Sequence, residues 1–153
     1  MSQKSSASAT NAVDGSARTE GSGAGWRWWF LLIGWMLVIF FLSAQPDFTF
    51  SPVALEGEIL SLMAHGIEFG VLAGLTWLAV QKTPRLAAYA VTIAIAAAIL
   101  YGMSDELHQA FVPGRVPDVR DLIADAMGAG LAVLLVTWYS HRRDSRTGGL
   151  PRK

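Results

Sequence analysis

Cysteine is absent from this sequence, and charged side chains are few. The 153 residues contain no cysteine, and Asp, Glu, Lys and Arg together make up only 16%. Without cysteine there is no disulfide framework, no thiolate metal site, no cysteine nucleophile and no lipoprotein anchor. Soluble domains usually contain about 25% charged residues. With a mean hydropathy of +0.38, the chain is too apolar for an ordinary soluble domain or a wholly disordered one.

The charge that is present is balanced. Basic and acidic residues number 12 each, so the formal net charge is zero. Nucleic-acid binding usually requires a basic patch, and no nucleic-acid partner is expected here. Because the total charge gives no direction, the informative question is where along the chain the few charges lie.

The two ends of the chain differ in composition from its middle. Residues 1–25 are rich in Ser, Ala, Gly and Thr and contain no aromatic residue. Such a segment cannot bury enough apolar surface to offset its chain entropy, so we predict a disordered cytoplasmic tail. Residues 142–153 are predicted to form a short basic cytoplasmic tail. The folded domain is therefore expected to span residues 26–141.

Four long apolar runs lie between these ends, at residues 28–44, 60–80, 86–103 and 122–139. Each has about the 20 residues that an α-helix needs to cross a bilayer. They are apolar around most of their circumference, which disfavours a soluble helical bundle. The first run is too long for the core of a cleaved signal peptide and is interpreted as an anchor. The predicted fold is an all-α membrane protein, a four-transmembrane-helix bundle in a lipid bilayer.

Basic residues and tryptophans predict the orientation of these helices. Of the 12 basic residues, only Arg115 and Arg120 fall on the side opposite the N-terminus. Cytoplasmic segments carry the excess of Lys and Arg, so both termini are expected in the cytoplasm, N-in and C-in. All tryptophans except Trp35 fall near the inner helix ends, as in an interfacial aromatic belt.

This orientation gathers the polar residues at the outer side of the membrane. Ionisable groups at membrane depth cost about 3 kcal/mol each on translocon scales, and for that reason they are functional candidates. Their alternative roles are hydrogen bonds between helices, helix capping, and ion pairs of Asp105 or Glu106 with Arg115 or Arg120. The ligand-binding candidates are His65, Glu68, Asp105, Glu106, His108, Arg115, Asp118, Asp121 and Asp125.

Helical spacing narrows where these side chains meet. His65 and Glu68 are three residues apart and share a face of the second helix. The third and fourth helices each carry a stripe of small residues with acidic residues at the outer end, which suits close packing. The stripes comprise Ala94, Ala98, Tyr101, Gly102 and Asp105 on the third helix, and Asp118, Asp121, Asp125, Gly128 and Ala132 on the fourth. Pointed inward, they form a polar cleft that opens outward.

Carboxyl groups outnumber arginines in this predicted cleft. The turn signal Pro113-Gly114 predicts a short, stiff loop that holds Arg115 over the cleft, where its planar fork suits a carboxylate or phosphate. Six carboxyl groups face two arginines and cannot all stay ionised and unpaired. Protons, a cation or a cationic ligand group must compensate.

The segment from Tyr101 to Arg115 contains Ser-Asp-Glu-x-x-Gln-x-Phe-x-Pro-x-Arg, followed by Asp121 and Gly128. It resembles the hallmark of the VanZ-like family of small bacterial membrane proteins, and the resemblance adds Gln109 to the candidates. Further matches are the segment 41–46, which resembles the end of the family's first helix, and His65 with Glu68-Phe69 on the second. The resemblance covers about residues 30–140. It implies a multi-pass protein of the bacterial plasma membrane, in a family whose namesake is associated with resistance to glycopeptide antibiotics such as teicoplanin.

Two positions depart from the family pattern as this resemblance describes it. Members often carry Lys where this chain has Leu62, and usually Asn where it has Asp125. Both departures make the cleft of this chain more acidic.

Three functions, besides a purely structural or assembly role, are compatible with these residues. The first is a non-catalytic protein that binds a lipid-linked envelope molecule, such as a wall precursor, or an amphiphilic antibiotic. The second is a metal-dependent enzyme acting on a lipid phosphate or ester, with a divalent cation such as Zn²⁺ or Mn²⁺ as cofactor. Its candidate ligands are His65, Glu68, His108 and either Asp105 or Asp125. The third is proton-coupled transport through Glu68 and Asp125.

Overall fold

The protein, described here as a computed structural model, is built from four long α-helices. They are α1 (Gly23–Ser43), α2 (Ala54–Gln81), α3 (Ala90–Gln109) and α4 (Val119–Thr147), with a short 3-10 helix at Ala87–Tyr89. The structure describes residues 23–46 and 54–147. Every regular element in those two ranges is helical, which confirms the predicted fold class.

All four helices are long and apolar enough to cross a membrane. The spans that meet this criterion are Gly25–Ser43, Gly57–Gln81, Ala87–Gln109 and Val119–Arg143. Large apolar side chains such as Phe30 and Leu134 are exposed on the outside of the bundle, where lipid would cover them. The chain is therefore a multi-pass membrane protein, whereas the N-in and C-in orientation stays a prediction.

The helices extend further than the apolar runs that predicted them. α3 continues through Gln109, six residues past the end of the third run. α1 begins at Gly23, inside the predicted N-terminal tail, and α4 continues to Thr147, inside the predicted basic tail. Residues 1–22 and 148–153 of the two predicted tails lie outside the described residues. Hydropathy indicates only which part of a helix lies in the apolar core of the membrane. The helix itself can continue past that part until a helix-breaking residue such as Pro113 follows.

The contact between α2 and α4 is the most extensive in the bundle, and glycine makes it close. A Cβ atom added to Gly128 would overlap the carbonyl oxygen of Gly66, and one added to Gly70 would lie 3.1 Å from the carbonyl oxygen of Gly128. The two backbones therefore touch where side chains would hold them apart. This contact brings residues next to it, His65 on α2 and Asp125 on α4, to the same level.

α1 is joined to the bundle by hydrogen bonds that reach backbone carbonyls on other helices. The Trp35 indole N–H donates to the carbonyl oxygen of Glu68 at 2.9 Å. The Tyr101 hydroxyl of α3 donates to the carbonyl oxygen of Met36 at 2.6 Å. Ile39 and Phe69 fill the space between the helices. The end of α1 is thereby fixed beside the ends of α2 and α3 that carry the polar residues.

Candidate functional site

The polar side chains meet at one end of the bundle, where α1 and α3 end and α2 and α4 begin; this is called the site end below. At its centre His65 Nδ1 lies 3.1 Å from Asp125 Oδ1. His65 is only 7% exposed and Asp125 only 1%. Gly102 of α3 leaves room for this carboxylate, since a Cβ atom there would come within 2.8 Å of Asp125 Oδ2. The pair thus joins α2 to α4 in the space that the missing side chain of Gly102 leaves on the surface of α3.

The contact with Asp125 determines which nitrogen of His65 is available. When Asp125 is ionised, its carboxylate only accepts hydrogen bonds, and Nδ1 then carries the proton in the His65–Asp125 contact. The other nitrogen, Nε2, faces Asp121 Oδ2 at 3.8 Å. The ring also lies nearly parallel to that of Phe69, at an interplanar angle of 3°, which fixes its plane. In the neutral ring Nε2 then bears a lone pair.

α3 supplies the second group of polar atoms. Asp105 is 6% exposed, and its Oδ2 accepts a hydrogen bond from Gln109 Nε2 at 2.8 Å. Glu106 Oε2 accepts the backbone N–H of Asp118 at 2.8 Å, while Glu106 Oε1 is buried with no hydrogen-bond partner. The buried face of α3, which runs from Ala94 through Gly102 to Gln109, confirms the small-residue stripe predicted for this helix.

The loop between α3 and α4 places Arg115 as predicted, over the polar residues. Gly114 has φ of +83°, and the Arg115 backbone N–H donates to the carbonyl oxygen of Val112 at 3.1 Å. With Pro113 and Gly114 at its two central positions, this is the sequence pattern of a type II turn, in which the second central residue needs positive φ. Arg115 Nε donates to the carbonyl oxygen of Gln45 at 3.2 Å, so the loop is attached to the end of α1.

A small cavity of about 100 Å³ lies under this arginine. Its lining is Leu42, Ser43, Ser61, Ala64, His65, Glu68, Asp105, Gln109 and Arg115. Ser43 is 5% exposed, and its hydroxyl oxygen has no hydrogen-bond partner. Ser43 and Ser61 were not among the predicted site residues. For Ser43 the available signal was its place in the segment resembling the end of the family's first helix.

Three ligand atoms in the described ranges lie close enough together to hold a metal ion. One atom each from His65, Asp105 and Glu106 lies within 4.8 Å of the others. The predicted metal set also contained Glu68 and His108, and neither belongs to this group. Glu68 lines the cavity, whereas the ring of His108 packs on Phe40, with 4.5 Å between ring centres.

Several predicted contacts of the outer loop are replaced by others. Asp105 and Glu106 were expected to pair with Arg115 or Arg120, and this is wrong. Arg120 pairs with Glu58, and among the carboxylates whose side chains the structure describes, none lies within 4.0 Å of Arg115. The acids use Gln109 and the backbone N–H of Asp118 instead.

The stripe position Asp118 and the family-departure position Leu62 both lie outside the polar centre. Asp118 is exposed and precedes α4, where its Oδ1 accepts the backbone N–H of Arg120 at 2.9 Å. That is an N-cap, the alternative that the sequence left open for this residue. Leu62, where family members often carry Lys, lines an apolar groove between α2 and α4 and not the polar cavity.

A family model described as VanZ/LLP1 matches residues 28–140, nearly the whole of the described bundle. The chain belongs to the VanZ/LLP1 family. Neither the comparison with curated proteins nor that with solved structures found a match. Among the residues of this VanZ/LLP1 chain, the hallmark stretch from Ser104 to Arg115 covers the end of α3 and the loop that closes the cavity.

Proposed function

We propose that this protein acts by binding, and that the cavity beneath Arg115 receives the polar head of a lipid-linked envelope molecule or an amphiphilic antibiotic. The observation that carries the proposal is the arrangement around this cavity. An arginine on a stiff loop faces polar side chains from three helices, among them the buried Ser43 and Asp105. Such convergent polar groups are typical of ligand sites.

The size and position of the cavity favour the head of an amphiphile over a whole soluble molecule. A volume of about 100 Å³ accommodates roughly three waters at about 30 Å³ each, which is the scale of a single phosphate, carboxylate or amine. Ser43 and Gln109, which line it, are the last residues of two membrane spans. A ligand whose head enters here can keep its chain in the surrounding lipid.

Arg115 supports the proposal because no described carboxylate lies within 4.0 Å of its guanidinium group. Its Nε is bonded to the Gln45 carbonyl oxygen, which holds the side chain in place. The terminal nitrogens carry the remaining N–H groups of the fork that binds carboxylate or phosphate. Their spacing matches two oxygens of one anionic group.

The distribution of buried polar side chains favours binding from one side over transport across the membrane. Those in the described part of the chain are Ser43, His65, Thr76, Asp105, Gln109 and Asp125. All except Thr76 lie at the site end, and the Thr76 hydroxyl donates to the carbonyl oxygen of Leu72 on its own helix. With the orientation predicted from the basic residues, the site faces outward from a bacterial plasma membrane.

The proposal is tested by comparing the two arginines of the outer loop. Arg115→Ala removes the side chain over the cavity, whereas Arg120→Ala removes an exposed one that pairs with Glu58. Binding of a polyprenyl phosphate and of teicoplanin is measured with the protein in nanodiscs, alongside native mass spectrometry of lipid retained from the membrane. We expect Arg115→Ala to weaken binding of at least one probe about tenfold, equal to 1.4 kcal/mol.

Arg120→Ala should bind as the unmodified protein does, because its side chain does not line the cavity. The proposal fails if Arg115→Ala, correctly inserted and folded, binds both probes and retains the same lipids as the unmodified protein.

A further inference from the structure

We infer that His65, Asp105 and Glu106 bind a divalent cation of the Mn²⁺ or Zn²⁺ type. One ligand atom from each lies within 4.8 Å of the other two. Two atoms that share an ion at about 2.1 Å are at most about 4.2 Å apart, so small side-chain rotations close the site. The three come from α2 and α3, whose relative position is fixed by the packed bundle.

The contact between His65 and Asp125 favours a metal ligand role for His65. Metal-binding histidines almost always donate their second ring N–H to a carboxylate, a backbone carbonyl or water, which fixes the tautomer and raises the basicity of the ligating nitrogen. Asp125 is placed to do this, with Oδ1 3.1 Å from Nδ1. The carboxylate is 1% exposed and so does not exchange this role with water. Nε2 is left for an ion.

Buried polar atoms at the site end lack hydrogen-bond partners, which also favours a bound ion. Ser43, which is 5% exposed and lines the cavity, has an unpaired hydroxyl. Glu106 Oε1 is likewise buried and unpaired. Leaving such an atom without a partner costs about 1–3 kcal/mol. An ion on Glu106, with a coordinated water or ligand oxygen in the cavity beside Ser43, would satisfy both.

The excess of carboxyl groups around His65 also favours a bound cation. Glu68, Asp105, Glu106, Asp121 and Asp125 surround His65. Of the two arginines expected nearby, Arg120 is engaged by Glu58. A cation supplies the missing positive charge. Oxygen and imidazole donors suit Mn²⁺ and Zn²⁺, whereas the chain contains no cysteine to select copper(I) or an iron–sulfur cluster.

The cation also specifies the charge of the bound head, a step that rests on the proposed function. Without it, the carboxylates of Glu68 and Asp105 would repel an anionic group in the cavity they line. With it, the ion and Arg115 face an anionic oxygen together. A phosphate or carboxylate then binds by the chemistry the two share.

The test begins with the metal alone. Full-length protein in detergent is stripped with EDTA and titrated with Mn²⁺, followed by electron paramagnetic resonance, and with Zn²⁺, followed by calorimetry. We expect binding of one ion per chain. Glu106→Gln and His65→Gln should each weaken it by more than the roughly 10- to 100-fold typical of outer-shell changes. The matched controls Glu58→Gln and His141→Gln alter exposed residues outside the group and should bind as the unmodified protein does.

A second measurement needs no variant and remains decisive if the site variants fold poorly. The electron spin echo of Mn²⁺ on the unmodified protein should show modulation from a histidine ¹⁴N nucleus. The inference is overturned if the stripped protein binds no stoichiometric ion, if nitrogen modulation is absent, or if folded Glu106→Gln binds as tightly as Glu58→Gln.

Polyprenyl phosphate binding with and without Mn²⁺ separates this inference from the proposed function. Metal binding that leaves lipid binding independent of Arg115 upholds the cation site and overturns the proposed function. Lipid binding that depends on Arg115 but is unaffected by EDTA upholds the proposed function and overturns the role of the cation in binding the head, whereas the cation site itself is decided by the metal titration.

Discussion

The buried pair His65–Asp125 leads to the sharpest prediction about the stability of this bundle. Its two side chains are 7% and 1% exposed and meet at 3.1 Å between α2 and α4. Removing either partner leaves a buried polar atom unpaired, which costs about 1–3 kcal/mol. His65→Ala and Asp125→Ala should therefore each lower the free energy of unfolding by an amount in that range.

A double-mutant cycle isolates the interaction from the loss of packing. Double-mutant cycles on hydrogen bonds between membrane helices have given couplings that average about 0.6 kcal/mol and reach about 1.7 kcal/mol. We expect a value near the upper limit, because the carboxylate makes the bond charge-assisted. Asp125→Asn should cost less than Asp125→Ala, because an amide oxygen can still accept from His65 Nδ1.

The assay is reversible unfolding in mixed micelles, with the denaturing detergent varied and helicity followed by circular dichroism. His141 and Asp118 provide the control cycle, because both are exposed and lie at opposite ends of α4. Their coupling should stay within about 0.3–0.5 kcal/mol of zero. A His65–Asp125 coupling no larger than this control would refute the idea that the pair joins the two helices.

Two further predictions concern helix packing and orientation. Gly128→Ala should destabilise the bundle by about 1–3 kcal/mol because its Cβ would overlap the carbonyl oxygen of Gly66. The control Gly130→Ala should be neutral or stabilising, because no atom lies within 4 Å of its Cβ. Equal effects of the two substitutions in an unfolding assay would contradict the close α2–α4 contact. Because the chain has no cysteine, a single introduced thiol reports its own location: Val116→Cys, at a residue 80% exposed, should react with an impermeant maleimide on intact cells, and Arg85→Cys only after permeabilisation. The opposite labelling pattern would reverse the predicted orientation.

Hydropathy was sufficient to predict the number and type of the helices, because the length of a membrane span is set by the thickness of the bilayer. It could not predict where α3 ends. The hydropathy of the third run falls at Met103, yet the helix continues to Gln109, since backbone hydrogen bonding does not depend on side-chain polarity. Asp105 therefore lies on the buried helical face that the small-residue stripe predicted, although the apolar run ends two residues before it.

Sequence periodicity could not predict which neighbouring residue each polar side chain contacts. At 100° per residue, Glu106 and His108 lie on opposite flanks of Asp105 around α3. Glu106 reaches the start of α4 through the backbone N–H of Asp118, and His108 packs on Phe40 of α1. Periodicity gives the angle between two side chains but not the identity of the helix opposite each. This is why His108 was grouped with the metal ligands.

The unpaired atoms at the site end distinguish a ligand site from a structural tie between helices. A polar network that only joins helices is stabilising when its members are satisfied, and a partly satisfied network is costly. Among the described residues, five have a buried polar side-chain atom without a partner; four of them, Ser43, Glu106, His108 and Asp125, lie at the site end, and the fifth, Trp77, lies near the other end of α2. A polar group bound at the site end would supply the hydrogen bonds that these four atoms do not receive from the described side chains. A ligand that completes these contacts must raise the free energy of unfolding in proportion to RT ln(1 + [L]/Kd), so binding and stability are linked at this end of the bundle.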